Sequence, residues 1–170
     1  MKSGKNIVFL GMMGSGKTSI GFLISKKLGI EFCDIDQLIE KELELNISQI
    51  FEKKGEKFFR DFEEKTTLKI LKKKNIVVSL GGGAFLNNNI RIEVLTNHIS
   101  FWLKNNDETI LKRIKNSSKR PIASKSNRNE LINLIKKRSK IYSKAMYNID
   151  CNNLTKTEIV KKILNIYETN

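Results

Sequence analysis

Cysteine, histidine, proline and arginine are all scarce in this chain, and each shortage removes a class of reading. The two cysteines, Cys33 and Cys151, lie far apart with no CxxC spacing. That argues against a disulfide framework or a zinc site and fits a reducing compartment. The single histidine, His98, opens a strand-like run and reads as structural. The single proline, Pro121, falls in a polar stretch at 116–127 that reads as a loop. No segment approaches the roughly 20 apolar residues of a spanning helix. The apolar run behind Lys2 and Lys5 is short, breaks at Gly11 and has no small-residue cleavage site after it, unlike a signal peptide. The expectation is a soluble, cytoplasmic protein, a monomer, with no membrane partner.

Basic charge, by contrast, is abundant. The 170 residues carry a net charge of +14, with a pI near 9.8. Only six of the 32 basic residues are arginine: Arg60, Arg91, Arg113, Arg120, Arg128 and Arg138. Lysine is spread over nearly every helical stretch, as expected where it fills solvated faces. RNP-like aromatic motifs and zinc-finger spacing are missing, so no nucleic-acid partner is expected. A basic surface still attracts anionic substrates. Where a lysine-rich chain uses arginine, the planar fork that grips a carboxylate or phosphate with two bonds is the reason to look.

The length suits one domain, residues 1–170. Such a chain can bury roughly 70% of its unfolded surface and needs no covalent staples. Strand-like runs at 6–10, 30–36, 76–80 and 98–103, the first and third read as buried, alternate with helical ones, and "YNID" (147–150) adds a short strand. Helices are expected at Thr18 to Leu28, stopped by Gly29, and at about 36–44, 48–54, 56–73, 87–95 and 128–145. Asp107 reads as the N-cap of another, and "TKTE" (155–158) has capping-box spacing for the last. Strands alternating with helices imply an α/β fold: a three-layer sandwich, with a parallel five-stranded sheet between helices on both faces.

The segment GMMGSGKT (11–18) matches GxxxxGK[ST], and it lies between a buried strand and an amphipathic helix, the context that motif requires. Its glycines let backbone N–H groups turn inward around phosphate oxygens, and the helix that follows aims its positive end at the same anion. Lys17 is expected to reach the β- and γ-phosphates of ATP and Thr18 to ligand Mg²⁺. The nucleotide-binding set is Gly14, Ser15, Gly16, Lys17, Thr18 and Ser19.

The receiver of the phosphate must be read from the rest of the chain. In "CDID", Asp34 and Asp36 stand at the carboxyl end of the second strand, the edge where open α/β sheets bind ligands. At i and i+2 of an extended segment they point the same way. One can then support Mg²⁺ and the other accept a hydroxyl proton, unless Asp36 only caps the next helix. Arg60 in "EKFFRDFEE" either pairs with Glu63 or Glu64 or binds a substrate carboxylate. Three glycines in "SLGGGAF" exceed the needs of a turn and suggest close approach of a ligand to bare N–H groups. Arg113 and Arg120 flank a polar stretch that reads as a mobile lid, at about 116–126, or as an ordinary solvated loop. Arg138 and Tyr142, four apart, either pack together on a helix or serve the site.

Taken together, GMMGSGKT, the Asp-x-Asp of CDID, FRDFE, GGG, and KRPI followed by the RSKIY segment resemble shikimate kinase, of the nucleoside monophosphate kinase-like P-loop fold. The resemblance spans about residues 6–168, in family order and with family-like spacing. It implies ATP-dependent phosphorylation of the 3-hydroxyl of shikimate with Mg²⁺, a step toward chorismate and the aromatic amino acids. It places Lys17 and Thr18 on ATP and Mg²⁺, Asp34 near the metal, and Asp36 on the shikimate hydroxyls as a possible base. Arg60 and Arg138 are implied to clamp the shikimate carboxylate, with Gly82 and Gly83 beside the ring. The substrate-binding region is implied at about 34–61. Arg120 matches the lid arginine, and Arg113 the one that stacks on adenine. Arg91 and Arg128 acquire no role. Ser79 stands where many P-loop proteins carry a metal-linked aspartate, and "CNNLTKTE" after Asp150 lacks the proline expected from some relatives. A gluconate kinase is the nearest rival, disfavoured by FRDFE and GGG. A P-loop switch or nucleic-acid-binding module is the rival from another class.

Overall fold

The computed structural model describes residues 4–115 and 127–169. Along the chain run β1 (Ile7–Leu10), α1 (Lys17–Leu28), β2 (Glu31–Asp34), α2 (Ile35–Leu43), α3 (Ile47–Leu71), β3 (Ile76–Ser79), α4 (Asn88–Asn97), β4 (Ile99–Lys104), α5 (Asp107–Lys115), α6 (Arg128–Tyr142), β5 (Tyr147–Asp150) and α7 (Lys156–Glu168). A short 3₁₀ turn, Ala84–Leu86, leads into α4.

The five strands form one parallel sheet in the order β2-β3-β1-β4-β5. Side chains alternate across a strand. Val8, Leu10, Val78 and Trp102 therefore face a core shared with α2 to α6. Ile7, Phe9, Val77 and Phe101 face the opposite core, built with α1 and α7. Burial on both sides accounts for the uninterrupted apolar strands. This is the three-layer α/β sandwich expected from the sequence.

Sheet order reverses around the central β1, whose neighbours β3 and β4 come later in the chain. The crevice beyond the carboxyl ends of the strands at such a point is where α/β sheets bind ligands. Asp34, the last residue of β2, and the phosphate-binding motif, the glycine triplet, Asn105 and Cys151, which follow the other strands, all lie at this one edge.

Several boundaries differ from expectation, most by a single residue. β2 ends at Asp34, whose carboxylate caps α2 by accepting from the Gln37 N–H at 3.2 Å. Asp36 therefore sits in the first turn of a helix, not in an extended segment, and strand alternation does not explain its direction. Asn106, not Asp107, caps α5: its Oδ1 accepts from the Thr109 N–H at 2.8 Å. α6 stops at Tyr142, three residues before the predicted end. The stretches expected at 48–54 and 56–73 are joined as α3 across Gly55, which has φ 83°. The capping box at Thr155 and Glu158 is present as read. Arg120 and the stretch expected to form a lid, 116–126, lie outside the described residues.

Asn6 ties two of these elements together from the margin of the sheet. Fully buried, it donates from Nδ2 to the carbonyls of Leu71 (3.0 Å) and Lys73 (2.7 Å) and accepts the Ile76 N–H at 3.2 Å. The end of α3 and the start of β3 are thus fixed beside β1.

Candidate active site

Residues 11–18 leave β1 and wrap into the start of α1. Gly14 and Gly16 have φ of 77° and 99°, values that side chains rarely tolerate. Lys17 is buried, and its Nζ donates to the carbonyls of Gly11 (2.9 Å) and Met12 (3.0 Å), so the ammonium lies across the loop. A cavity of about 390 Å³ runs from this loop toward β5 and α7. All the residues expected to bind nucleotide line it: Gly14, Ser15, Gly16, Lys17, Thr18 and Ser19, together with Arg113. Cys151 and Leu154 close it from the segment after Asp150.

A second cavity, of about 270 Å³, opens on the other side of Lys17 and Thr18, and those two residues line both. Asp34, Asp36, Arg60, Gly82, Gly83 and Arg138 all line it, although they come from separate parts of the chain. Each described residue expected to bind nucleotide, acceptor or metal thus lines one cavity or the other.

Thr18 Oγ1 donates to Asp34 Oδ2 at 2.6 Å. Ser79 Oγ, at the end of β3 on the same cavity wall, is buried with no hydrogen-bond partner among the described residues. A hydroxyl, a carboxylate and an orphaned hydroxyl make an all-oxygen donor set, which fits Mg²⁺ and its retained waters. Thr18 and Asp34 are the side chains that would hold it.

Arg60 pairs with Glu63 one turn along α3, Nη1 to Oε2 at 2.7 Å, and reaches Glu56 at 3.4 Å. Glu64 is not its partner, being taken by Asn87 and Asn89. Glu63 is almost fully buried on the cavity wall. Burial pushes its carboxyl up to about 7; Arg60 pulls it down, and Asp36 adds to the rise. Sequence spacing offered Glu63 only as a pairing partner. Its burial, which makes it part of the site, has no local signal.

The glycine triplet lies against the protein's own charged side chains. A Cβ on Gly81 would lie 2.5 Å from Glu63 Oε1 and 2.6 Å from Asp36 Oδ1. One on Gly83 would lie 2.5 Å from Arg60 Nη1. The missing side chains make room for the protein's own charged groups. The Gly82 carbonyl accepts from Arg138 Nη1 at 3.1 Å and from the Tyr142 hydroxyl. Both residues are buried, so the pair packs together and the arginine also faces the cavity. Arg138 Nε has no partner among the described residues. Burial raises the Tyr142 hydroxyl to about 12. The two arginines without an expected role are tied elsewhere: Arg91 to the carbonyls of Phe85 and Leu86, and Arg128 to Glu108.

Comparison with known proteins meets this geometry. The family model described as shikimate kinase matches residues 13–168. The chain belongs to the shikimate kinase family. It is 41% identical over 165 residues to the shikimate kinase of Thermodesulfovibrio yellowstonii, covering 96% of this chain and 95% of that one. The shikimate kinase of Acinetobacter baumannii, solved in complex with shikimate, superposes with a TM-score of 0.92 at 32% identity, covering 97% of this chain and 93% of that one. That of Aquifex aeolicus gives 0.86 at 36% identity, covering 96% of both. Among the described residues no helix is long and apolar enough to cross a membrane.

Proposed function

We propose that this chain transfers the γ-phosphoryl group of ATP to the 3-hydroxyl of shikimate, giving shikimate 3-phosphate and ADP on the route to chorismate and the aromatic amino acids. The observation that carries the reading is the pair of cavities that meet at Lys17 and Thr18. One is lined by a phosphate-binding loop; the other by two arginines and an aspartate suited to a small hydroxylated acid.

Arg60 and Arg138 grip the acceptor carboxylate, each with a planar fork that fixes orientation as well as charge. Glu63 holds the Arg60 fork from behind. Asp36 accepts a hydrogen bond from the 3-hydroxyl, aims it at the phosphorus and takes its proton as the new P–O bond forms and the bond to ADP breaks. Lys17 swings from the carbonyls of Gly11 and Met12 to the β- and γ-phosphate oxygens and stabilises the charge that develops there. Arg120 acts with it, as the family pattern implies. Arg113 stacks on the adenine. Thr18 and Asp34 are the residues that would hold Mg²⁺, which would supply positive charge against the phosphate oxygens. Catalysis comes chiefly from positioning in a site closed to water.

All of these groups come from one chain, so the reading needs no residue from a partner subunit and takes the protein as a monomeric, single-domain cytoplasmic kinase, residues 1–170. Phosphorus NMR of Mg·ATP incubated with shikimate and the protein tests the reading. A phosphomonoester on the ring 3-oxygen is expected; inorganic phosphate as the only new product would overturn it.

A further inference from the structure

We propose that Asn105, just beyond the end of β4, is a positioning residue of the donor site that holds the phosphate-binding loop in its anion-gripping shape. The inference rests on the kinase reading above and concerns a residue to which that reading gives no part.

A loop that turns successive N–H groups inward must turn successive carbonyls outward, and each outward carbonyl needs a donor. Lys17 serves Gly11 and Met12. The next outward pair, Gly14 and Ser15, is served from outside the loop. Arg113 Nη1 donates to the Gly14 carbonyl at 3.0 Å. Asn105 Nδ2 donates to the Ser15 carbonyl at 3.3 Å. The same carboxamide closes the circuit, since its Oδ1 accepts from Arg113 Nη1 at 3.3 Å. Its Nδ2 also reaches the Leu103 carbonyl at 3.5 Å, which anchors it to β4.

Asn105 thus fastens two consecutive carbonyls of the loop to the central sheet, one directly and one through Arg113. It also fixes the plane of the guanidinium that faces the nucleotide cavity. The neighbouring Asn106 has a separate task, capping α5 through its side chain, so the two asparagines are not interchangeable. With Asn105 the backbone at Gly14 and Ser15 is held in place before the phosphate arrives, and the Ser15 N–H, bonded to the Met12 carbonyl at 3.1 Å, keeps the turn closed; without Asn105 the loop must be ordered at the moment of binding, at a cost in affinity.

The test compares wild type with Asn105→Leu, which keeps the approximate shape of the side chain and removes both hydrogen-bonding functions. Initial rates give the KM for ATP and for shikimate, and calorimetry gives the Kd for ADP and for inorganic tripolyphosphate, which engages the loop without a base. Losing one to two net hydrogen bonds predicts a rise of roughly tenfold in the ATP KM and in both Kd values, with the shikimate KM changing less than about twofold. Asn105→Ala, which asks less of the surrounding packing, carries the same expectation. Unchanged donor affinity in folded protein overturns the proposal. So does an equal rise in both KM values, the mark of a general disturbance, or a loss confined to ADP, which makes Asn105 a contact for the base. Wild-type protein that binds neither ADP nor tripolyphosphate overturns the kinase reading itself, and is recognised by that.

Discussion

Glu63 and Arg60 form a 2.7 Å ion pair in which the carboxylate is the buried member and the guanidinium the one facing the acceptor cavity. Burial raises the Glu63 pKa from 4.5 to about 7. Between those values the folded chain holds a proton that the unfolded chain has lost, so stability falls as pH rises through that window and levels off above it. His98, whose pKa burial lowers from 6.5, acts in the opposite sense below that value, in wild type and variant alike. Thermal unfolding of wild type and Glu63→Gln side by side isolates the carboxylate. The wild-type Tm is expected to drop more than that of the variant between pH 5 and about 7. Parallel profiles would show that Glu63 does not titrate in this range.

Arg60→Lys keeps the positive charge and loses the fork. The shikimate KM is expected to rise by roughly ten- to a hundredfold, the worth of a charge-assisted hydrogen bond, while the ATP KM stays within about twofold. If only the ATP KM moved, Arg60 would not be the carboxylate clamp.

The glycines predict a graded response. Gly83→Ala places a methyl group against Arg60 Nη1, and the shikimate KM should rise with little change in the ATP KM. Gly82→Ala meets Met13 N at 3.4 Å and Arg138 Nη1 at 3.6 Å, close to ordinary contact, and should be milder. Steady-state kinetics of the two variants check the order; the reverse order would refute this account of the triplet.

Lys17→Ala removes the charge that follows the moving phosphoryl group. Turnover should fall by roughly a hundred- to a thousandfold, as with other groups that act on transition-state charge. A kcat near that of wild type would remove the phosphate-binding loop from the mechanism.

What the sequence made legible was local. The phosphate-binding motif, the alternation of strands with helices and the capping box at Thr155 each depend on residues within a few positions of one another. The carboxyl end of β2 was misplaced because Asp34 and Asp36 both suit the mouth of a strand, and which one caps depends on where the chain turns. The role of the triplet was hidden because the side chains that crowd Gly81 and Gly83 come from α2 and α3. Asn6 and Asn105 act over 65 or more residues, on the carbonyls of Leu71 and Ser15, and no spacing rule reaches that far. Glu63 was visible as a charge three residues from Arg60, but its burial belongs to the packed molecule.

The most direct test of the account is acceptor-dependent ADP release from Mg·ATP, measured with shikimate, shikimate methyl ester, gluconate and no acceptor. Strong release with shikimate, lost with the ester and weak with gluconate, is the predicted result, because the two arginines need a free carboxylate on that ring. Release that is the same with every acceptor and with none would contradict it, leaving a nucleotide-hydrolysing loop without the acceptor site that the second cavity is held to be.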